Sequence, residues 1–274
     1  MAYNLAFSIK RLNPNARISL WVDGGIAHHI QDPSVFDHVD HLTRDQFTDE
    51  RGGVDPAKVK TIVYKLGRKY FDRFMYLDVD AICMNDPLPM FESMNGLVVS
   101  TDVLGRGGRN DAIGYSLWAT NENIWKTFGL DESATVCGIQ SSWMYFEASQ
   151  TCDIMQDYID HFMSVGIPRH VLSQAWGGTL PDELVYQGVF AKMGLIPDHP
   201  DEIRPLLFGT PHVTITEDEA REHYSFLSIY GTGRDGTTTQ KKWLRLYDAI
   251  VREMKAPYLY LQSELMKDKH LNAK

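Results

Sequence analysis

The chain has 274 residues, and at 43% hydrophobic and 23% charged it has the make-up of an ordinary globular protein. That length suits one large α/β domain or two small ones, and a single domain over residues 1–274 is the expectation. Lys+Arg 27 against Asp+Glu 36 gives a net charge of −9, which disfavours bulk binding to a phosphate backbone, and no apolar run reaches membrane-span length. The three cysteines, Cys83, Cys137 and Cys152, form no disulfide framework and no zinc pattern. With no signal-peptide pattern visible, a soluble cytoplasmic protein is expected.

Ala2, Leu5, Ala6 and Ile9 share one face of a helix over Met1 to Arg11, which Asn13-Pro14-Asn15 ends. Ile18 to Val22 reads as a short buried strand that stops at Asp23-Gly24-Gly25. His38 to Leu42 reads as the next strand. His38 and His41, three apart, would point to opposite faces of it, so neither they nor His28 and His29 are read as metal ligands. A helix starts near Pro56, with Val59, Ile62, Val63 and Leu66 apolar and Lys60 and Lys65 elsewhere on it.

Met75 to Ile82 is an apolar run interrupted by Asp78 and Asp80. On a strand the two carboxylates project to the same side. Like charges held together need a cation between them, and a divalent metal with oxygen ligands answers that need. The alternative is a strand that ends in solvated acids.

Gly96 to Ser100 is another buried strand, followed by Asp102. Gly105 to Arg109 is a glycine-rich basic stretch, read as a solvated loop in preference to a phosphate contact. Asn121 to Phe128 is a short helix. Ile139 to Phe146 is a strand whose polar first half, with Gln140 and Ser141, either lines a site or lies at a sheet edge. Cys152 to Met163 is an amphipathic helix. Gly177 to Glu183 leads into a helix that runs to about Met193, and acids at its start suit the helix dipole. Tyr224 to Tyr230 is a strand, Gly231 to Thr239 a Gly/Thr-rich loop, Lys241 to Met254 a helix and Tyr258 to Lys267 another. Strands alternating with helices predict an α/β fold with a Rossmann-type, mostly parallel sheet.

The order of these pieces resembles the GT-A fold nucleotide-sugar glycosyltransferases, in particular the family-eight, glycogenin-like group. Four stretches carry the resemblance: Leu5 to Lys10 with Asn13-Pro14; Phe71-Asp72-Arg73-Phe74-Met75-Tyr76-Leu77-Asp78-Val79-Asp80; the strand Ile139 to Phe146; and the loop Pro181-Asp182-Glu183. The family's chemistry implies a Mn²⁺ or Mg²⁺ ion that joins Asp78 and Asp80 to the diphosphate of a nucleotide sugar, a UDP-sugar for preference. It also implies that Asp23, Lys60, Asp78, Gln140, Ser141, Gly231 and Lys242 contact the donor, Asp78 near the ribose as well as the metal. Asp182 or Glu183 would lie near the transferred sugar or the acceptor hydroxyl, as base if configuration is inverted. Such proteins begin with a strand that contacts the nucleotide base, whereas this chain opens in the helix that follows it. The family's late metal-binding histidine falls near Ser228, and Lys242-Trp243 lacks the family's intervening proline. The acceptor stays open among a carbohydrate, a protein, a small molecule and a modified nucleobase.

Other readings compete. Gly231, Gly233 and Gly236 spell G-x-G-x-x-G, but no strand follows to complete a βαβ unit. A metal-dependent nucleotidyltransferase on a related sheet and a non-catalytic nucleotide-sugar-binding relic are the remaining alternatives.

Overall fold

The computed structural model describes residues 1–25, 32–49, 52–101, 113–174, 180–196, 205–210, 213–229 and 240–255. The chain divides into two compact units: Met1–His41 with Asp78–Ser93 and Glu202–Lys274, and Leu42–Leu77 with Met94–Asp201. Strand pairing among the described residues forms three sheets, of two, three and three strands.

In the first unit, helix α1 (Ala2–Leu12) ends as its sequence requires, with the Asn13 N–H returning to the Ile9 carbonyl and Lys10 and Arg11 in the last turn. Its Ser8 hydroxyl accepts from the Cys83 N–H, which ties the helix to strand β4 (Ala81–Cys83). Strands β1 (Ser19–Asp23) and β2 (His38–Leu42) form the two-stranded sheet. Strand β4 pairs antiparallel with β8 (Phe226–Ser228), which pairs parallel with β7 (Leu206–Phe208). Ile82, Leu227, Ile229, Trp243, Tyr247, Ile250 and Val251 are fully buried around these strands. Each such side chain contributes about 1.5–3 kcal/mol by leaving water. Trp243 and Tyr247 come from helix α10 (Lys241–Glu253), and Asn4 of α1 donates to the Tyr247 hydroxyl at 3.2 Å. Gly209 permits this packing, because a Cβ there would lie 2.8 Å from that of Trp243 and 3.1 Å from the Ser228 carbonyl oxygen.

In the second unit, β6 (Gln140–Glu147) lies between β3 (Arg73–Leu77) and β5 (Leu97–Ser100), antiparallel to both. Tyr64, Phe74 and Phe146 form an aromatic cluster against this sheet, with ring centroids 5.2 to 6.4 Å apart. Helices α6 (Asn121–Phe128), α7 (Gln150–Val165) and α8 (Asp182–Met193) complete the layer. Thr120 and Ser149 cap the first two through their hydroxyls.

The structure is α/β, as expected, but the described pairings are mixed rather than mostly parallel. Consecutive strands enter different sheets, as β3 and β4 do, or return antiparallel after a long connection, as β5 and β6 do. The helix expected from Pro56 onward is two helices, α3 (Pro56–Lys60) and α4 (Val63–Arg68). Between them the Thr61 hydroxyl donates to the Lys58 carbonyl, and the Ile62 N–H reaches only back to Val59. Two β-branched residues and a competing hydroxyl explain the break. Among the described residues the remaining α-helices are α2 (Arg44–Phe47), α5 (Leu88–Ser93) and α9 (Glu217–His223), and the helix expected over Tyr258 to Lys267 lies outside them.

Candidate functional site

Asp78 and Asp80 do not share a strand face. Strand β3 ends at Leu77, Val79 is exposed in the turn that follows, and the Ala81 N–H closes that turn on the Asp78 carbonyl at 3.4 Å. The turn arises because Leu77 pairs with Trp143 in one sheet while Ala81 already pairs with Ser228 in another. Alternation along a strand therefore gives no account of the two carboxylates.

The first unit still assembles part of the expected set. Ser228 donates its hydroxyl to Asp80 Oδ1 at 3.2 Å, and the Ile229 N–H bonds the Asp80 carbonyl. Two carboxylates and a hydroxyl are hard oxygen donors, the chemistry that Mn²⁺ and Mg²⁺ accept alongside substrate phosphates. Among the described residues no group of three or more His, Cys, Asp or Glu side chains is placed to hold a metal ion. Asp23 ends β1 and accepts the Gly25 N–H at 2.8 Å, which fixes the turn that follows. Lys242 donates to the Ile215 carbonyl at 2.7 Å and lies 4.4 Å from the Trp243 ring centroid. Gly231, with the loop to Thr239 that carries Arg234, lies outside the described residues, as do His28, His29 and the stretch Gly105 to Arg109.

The second unit gathers a polar cluster around the start of α8. Asp182 and Glu183 form its first turn, behind an N-cap residue, Pro181, that makes no side-chain capping bond. Glu183 Oε2 accepts the Trp118 indole N–H at 2.6 Å, and Oε1 accepts the Ser141 backbone N–H at 3.4 Å. Lys60, the last residue of α3, donates to the Ser141 hydroxyl at 3.3 Å and lies 4.0 Å from Asp182. The Lys60 backbone is held in turn, since Tyr186 donates to its carbonyl at 2.8 Å.

Gln140, Ser141 and Ser142 are all buried, and β6 is the central strand of its sheet, so edge placement does not explain their polarity. Strand alternation separates them. Ser141 meets Lys60 and Glu183, whereas Gln140 donates to Ser142 on the other face. The structure thus joins Lys60, Ser141, Asp182 and Glu183 and leaves Gln140 apart.

Burial, and next the adjacent Asp182 charge, raise the Glu183 carboxyl from its ordinary 4.5 to about 7. The Trp118 N–H, the Lys60 ammonium and the Ser141 N–H oppose that rise in part. One ammonium serves two acids here, so Glu183 holds a proton in part near neutrality. Burial likewise raises the Tyr186 phenol, which stays a neutral donor.

Trp118, Tyr186, Ser116 and Gln187 belong to the cluster and are not apparent from composition. The helix did carry a signal. Asp182, Glu183, Tyr186 and Gln187 recur at i, i+1, i+4 and i+5 in an otherwise apolar segment, a polar stripe on a buried helix. Trp118 precedes α6 in a stretch with no periodicity, and nothing in its sequence neighbourhood marks it.

No protein-family model matches the chain, and no curated protein sequence matches it. Solved structures do. An active-site mutant of LgtC superposes with a TM-score of 0.52 at 12% identity, covering 94% of each chain. The apo structure of the bifunctional glycosyltransferase WbbM gives 0.51 at 12% identity, over 96% of this chain and 48% of that one. The galactosyltransferase LgtC in complex with donor and acceptor sugar analogues gives 0.49 at 13% identity, over 90% and 92% of the two chains. The chain thus shares the GT-A-type α/β fold of the LgtC and WbbM glycosyltransferase structures.

Proposed function

We propose that the chain is a glycosyltransferase that moves a sugar from a nucleotide-diphosphate sugar, a UDP-sugar for preference, to a hydroxyl acceptor. The observation that carries this reading is the acid cluster of half-buried Lys60 and Glu183 with buried Ser141 and Asp182, on the fold of the LgtC and WbbM structures. Asp78 and Asp80, with Ser228 bonded to the latter, would hold a Mn²⁺ or Mg²⁺ ion. Such an ion, when bound, offsets the charge of the leaving diphosphate as a Lewis acid.

The acceptor hydroxyl must shed a proton as its oxygen bonds the anomeric carbon and the electron pair of the broken glycosidic bond leaves with the diphosphate. Where the transfer inverts configuration, Glu183 in its charged form takes that proton. A carboxyl near 7 suits the task, because it is present as base in part and holds the proton firmly once taken. Lys60 places a positive charge beside Asp182, so the pair orients a polar sugar without adding net charge. Asp23 and Lys242 are the proposed donor contacts of the first unit.

Incubation with Mn²⁺ and a panel of nucleotide sugars, with acceptor hydroxyls supplied, tests the reading by release of nucleoside diphosphate. Turnover that Glu183→Gln reduces by about 10²-fold or more is expected. Turnover of nucleoside triphosphates with release of pyrophosphate would replace this reading with a nucleotidyltransferase. Nucleotide-sugar binding without turnover would make the chain a binding protein.

A further inference from the structure

The two oxygens of Glu183 are held unequally. Among the described residues, Oε2 takes the Trp118 indole N–H in a short 2.6 Å bond, while Oε1 takes a long 3.4 Å bond from the Ser141 backbone. The indole is itself anchored. The Ser116 hydroxyl receives the Trp118 backbone N–H at 3.3 Å and donates to Gln187 at 2.7 Å, one turn along the helix that carries Glu183. The Ser173 N–H bonds the Trp118 carbonyl at 2.7 Å. Trp118 is therefore fixed at its backbone on two sides and presents one donor to one oxygen.

We propose that Trp118 is a positioning residue for proton transfer at Glu183, holding Oε2 so that Oε1 is the oxygen that accepts the proton. The proposal deepens the glycosyl-transfer reading and rests on it for its role in turnover. An indole N–H donates and cannot accept, so its bond favours the carboxylate over the acid at Oε2. A proton arriving at Glu183 accordingly goes to Oε1, where the competing bond is weak. The other groups that face the carboxyl act alongside: Asp182 from its own helix, Lys60 from α3 and the Ser141 N–H from β6. Trp118 works against Asp182 and burial and keeps a usable fraction of base at neutral pH. Aromatic bulk without the N–H would leave Glu183 protonated and its Oε2 free to turn.

The test is a pH titration of the Glu183 carboxyl by carbon NMR in the full chain and in Trp118→Phe, with the pH profile of kcat/KM measured beside it. Trp118→Phe is expected to raise the Glu183 midpoint by about one pH unit and to move the acid limb of the profile by the same amount. An unchanged midpoint in a folded Trp118→Phe chain overturns the proposal. If Trp118→Phe does not fold, the unaltered chain decides: the Trp118 indole N–H resonance must titrate with the Glu183 midpoint, and an indole resonance flat across that range overturns the proposal. The carboxyl and indole titrations need no turnover. Absence of nucleoside diphosphate release would therefore sink the glycosyl-transfer reading, while the titrations alone decide what Trp118 does to Glu183.

Discussion

Tyr186 donates its hydroxyl to the Lys60 carbonyl at 2.8 Å, joining the second turn of α8 to the last residue of α3. The bond fixes where the Lys60 ammonium starts, one turn beyond Asp182 along the helix. Tyr186→Phe keeps the ring and removes the donor, which leaves a carbonyl at a helix end without that partner. A loss of about 1–3 kcal/mol is expected in urea denaturation. Glu183 responds too: a Lys60 that wanders no longer offsets the acids, so the carboxyl midpoint moves up. A Tyr186→Phe chain with unchanged stability and an unchanged Glu183 midpoint would show that Lys60 is held by other means.

Glu183 also sets a pH dependence of stability, and its sign follows from the direction of its shift. Its folded value is raised to about 7 from an ordinary 4.5. Between those values the folded chain holds a proton that the unfolded chain has lost. The contribution is fully present below about pH 4.5 and is lost as pH rises through about 7. Glu183→Gln removes this dependence and keeps an acceptor for the Trp118 N–H. Its melting temperature should match the parent near pH 5 and exceed it near pH 8. Melts across that range check the sign, and a parent that outlasts Glu183→Gln at alkaline pH contradicts the assignment.

At the other cluster, the Ser228 hydroxyl orients Asp80 at 3.2 Å, and Asp80 directly precedes Ala81, the residue paired with Ser228. Asp80→Asn removes charge, whereas Ser228→Ala removes only the orienting bond. Mn²⁺-dependent binding of UDP, followed by calorimetry, should weaken at least 10-fold in Asp80→Asn. A loss of about tenfold is expected for Ser228→Ala, the size typical of a group that positions a metal ligand. Equal UDP affinity with and without Mn²⁺ in the parent chain would remove the metal from the account.

Much of this arrangement was legible in the sequence because period and punctuation act locally. His38 to Leu42 and Asn121 to Phe128 fall where alternation and helical spacing put them, and Asn13-Pro14 ends α1. The turn at Asp78 to Asp80 was not legible, because an apolar run gives no sign that its two halves pair in different sheets. The site divides the same way. Asp182 and Glu183 stood out as acids at a helix start, and Ser141 as a polar residue in an apolar strand. The hydrogen-bonding partner of Glu183, Trp118, comes from 65 positions earlier, and only tertiary packing brings it there. Adjacency groups Gln140 with Ser141, but the two-residue period of the strand separates them.

Packing behind the acid cluster supplies the last prediction. Gly188 lies in the middle of α8, where an alanine would ordinarily stabilise the helix by about 1 kcal/mol. Here a Cβ would stand 2.3 Å from the Phe128 ring. That ring cannot swing aside freely, because it is fully buried and sits edge-on to Phe162 with centroids 4.6 Å apart. Either Phe128 leaves its rotamer or α8 moves away from α6, and such overpacking costs about 1–3 kcal/mol. The steric term outweighs the propensity gain, so Gly188→Ala should lower the urea midpoint. Movement of α8 would also disturb Asp182 and Glu183, which lie on the same rigid helix within about 10 Å of residue 188 at 1.5 Å per residue. Phe128→Leu makes room and should recover stability when combined with Gly188→Ala, giving a favourable coupling energy in a double-mutant cycle. Additive losses in the double variant, or a Gly188→Ala chain more stable than the parent, would show that α8 tolerates the methyl group and that its approach to Phe128 does not set its position.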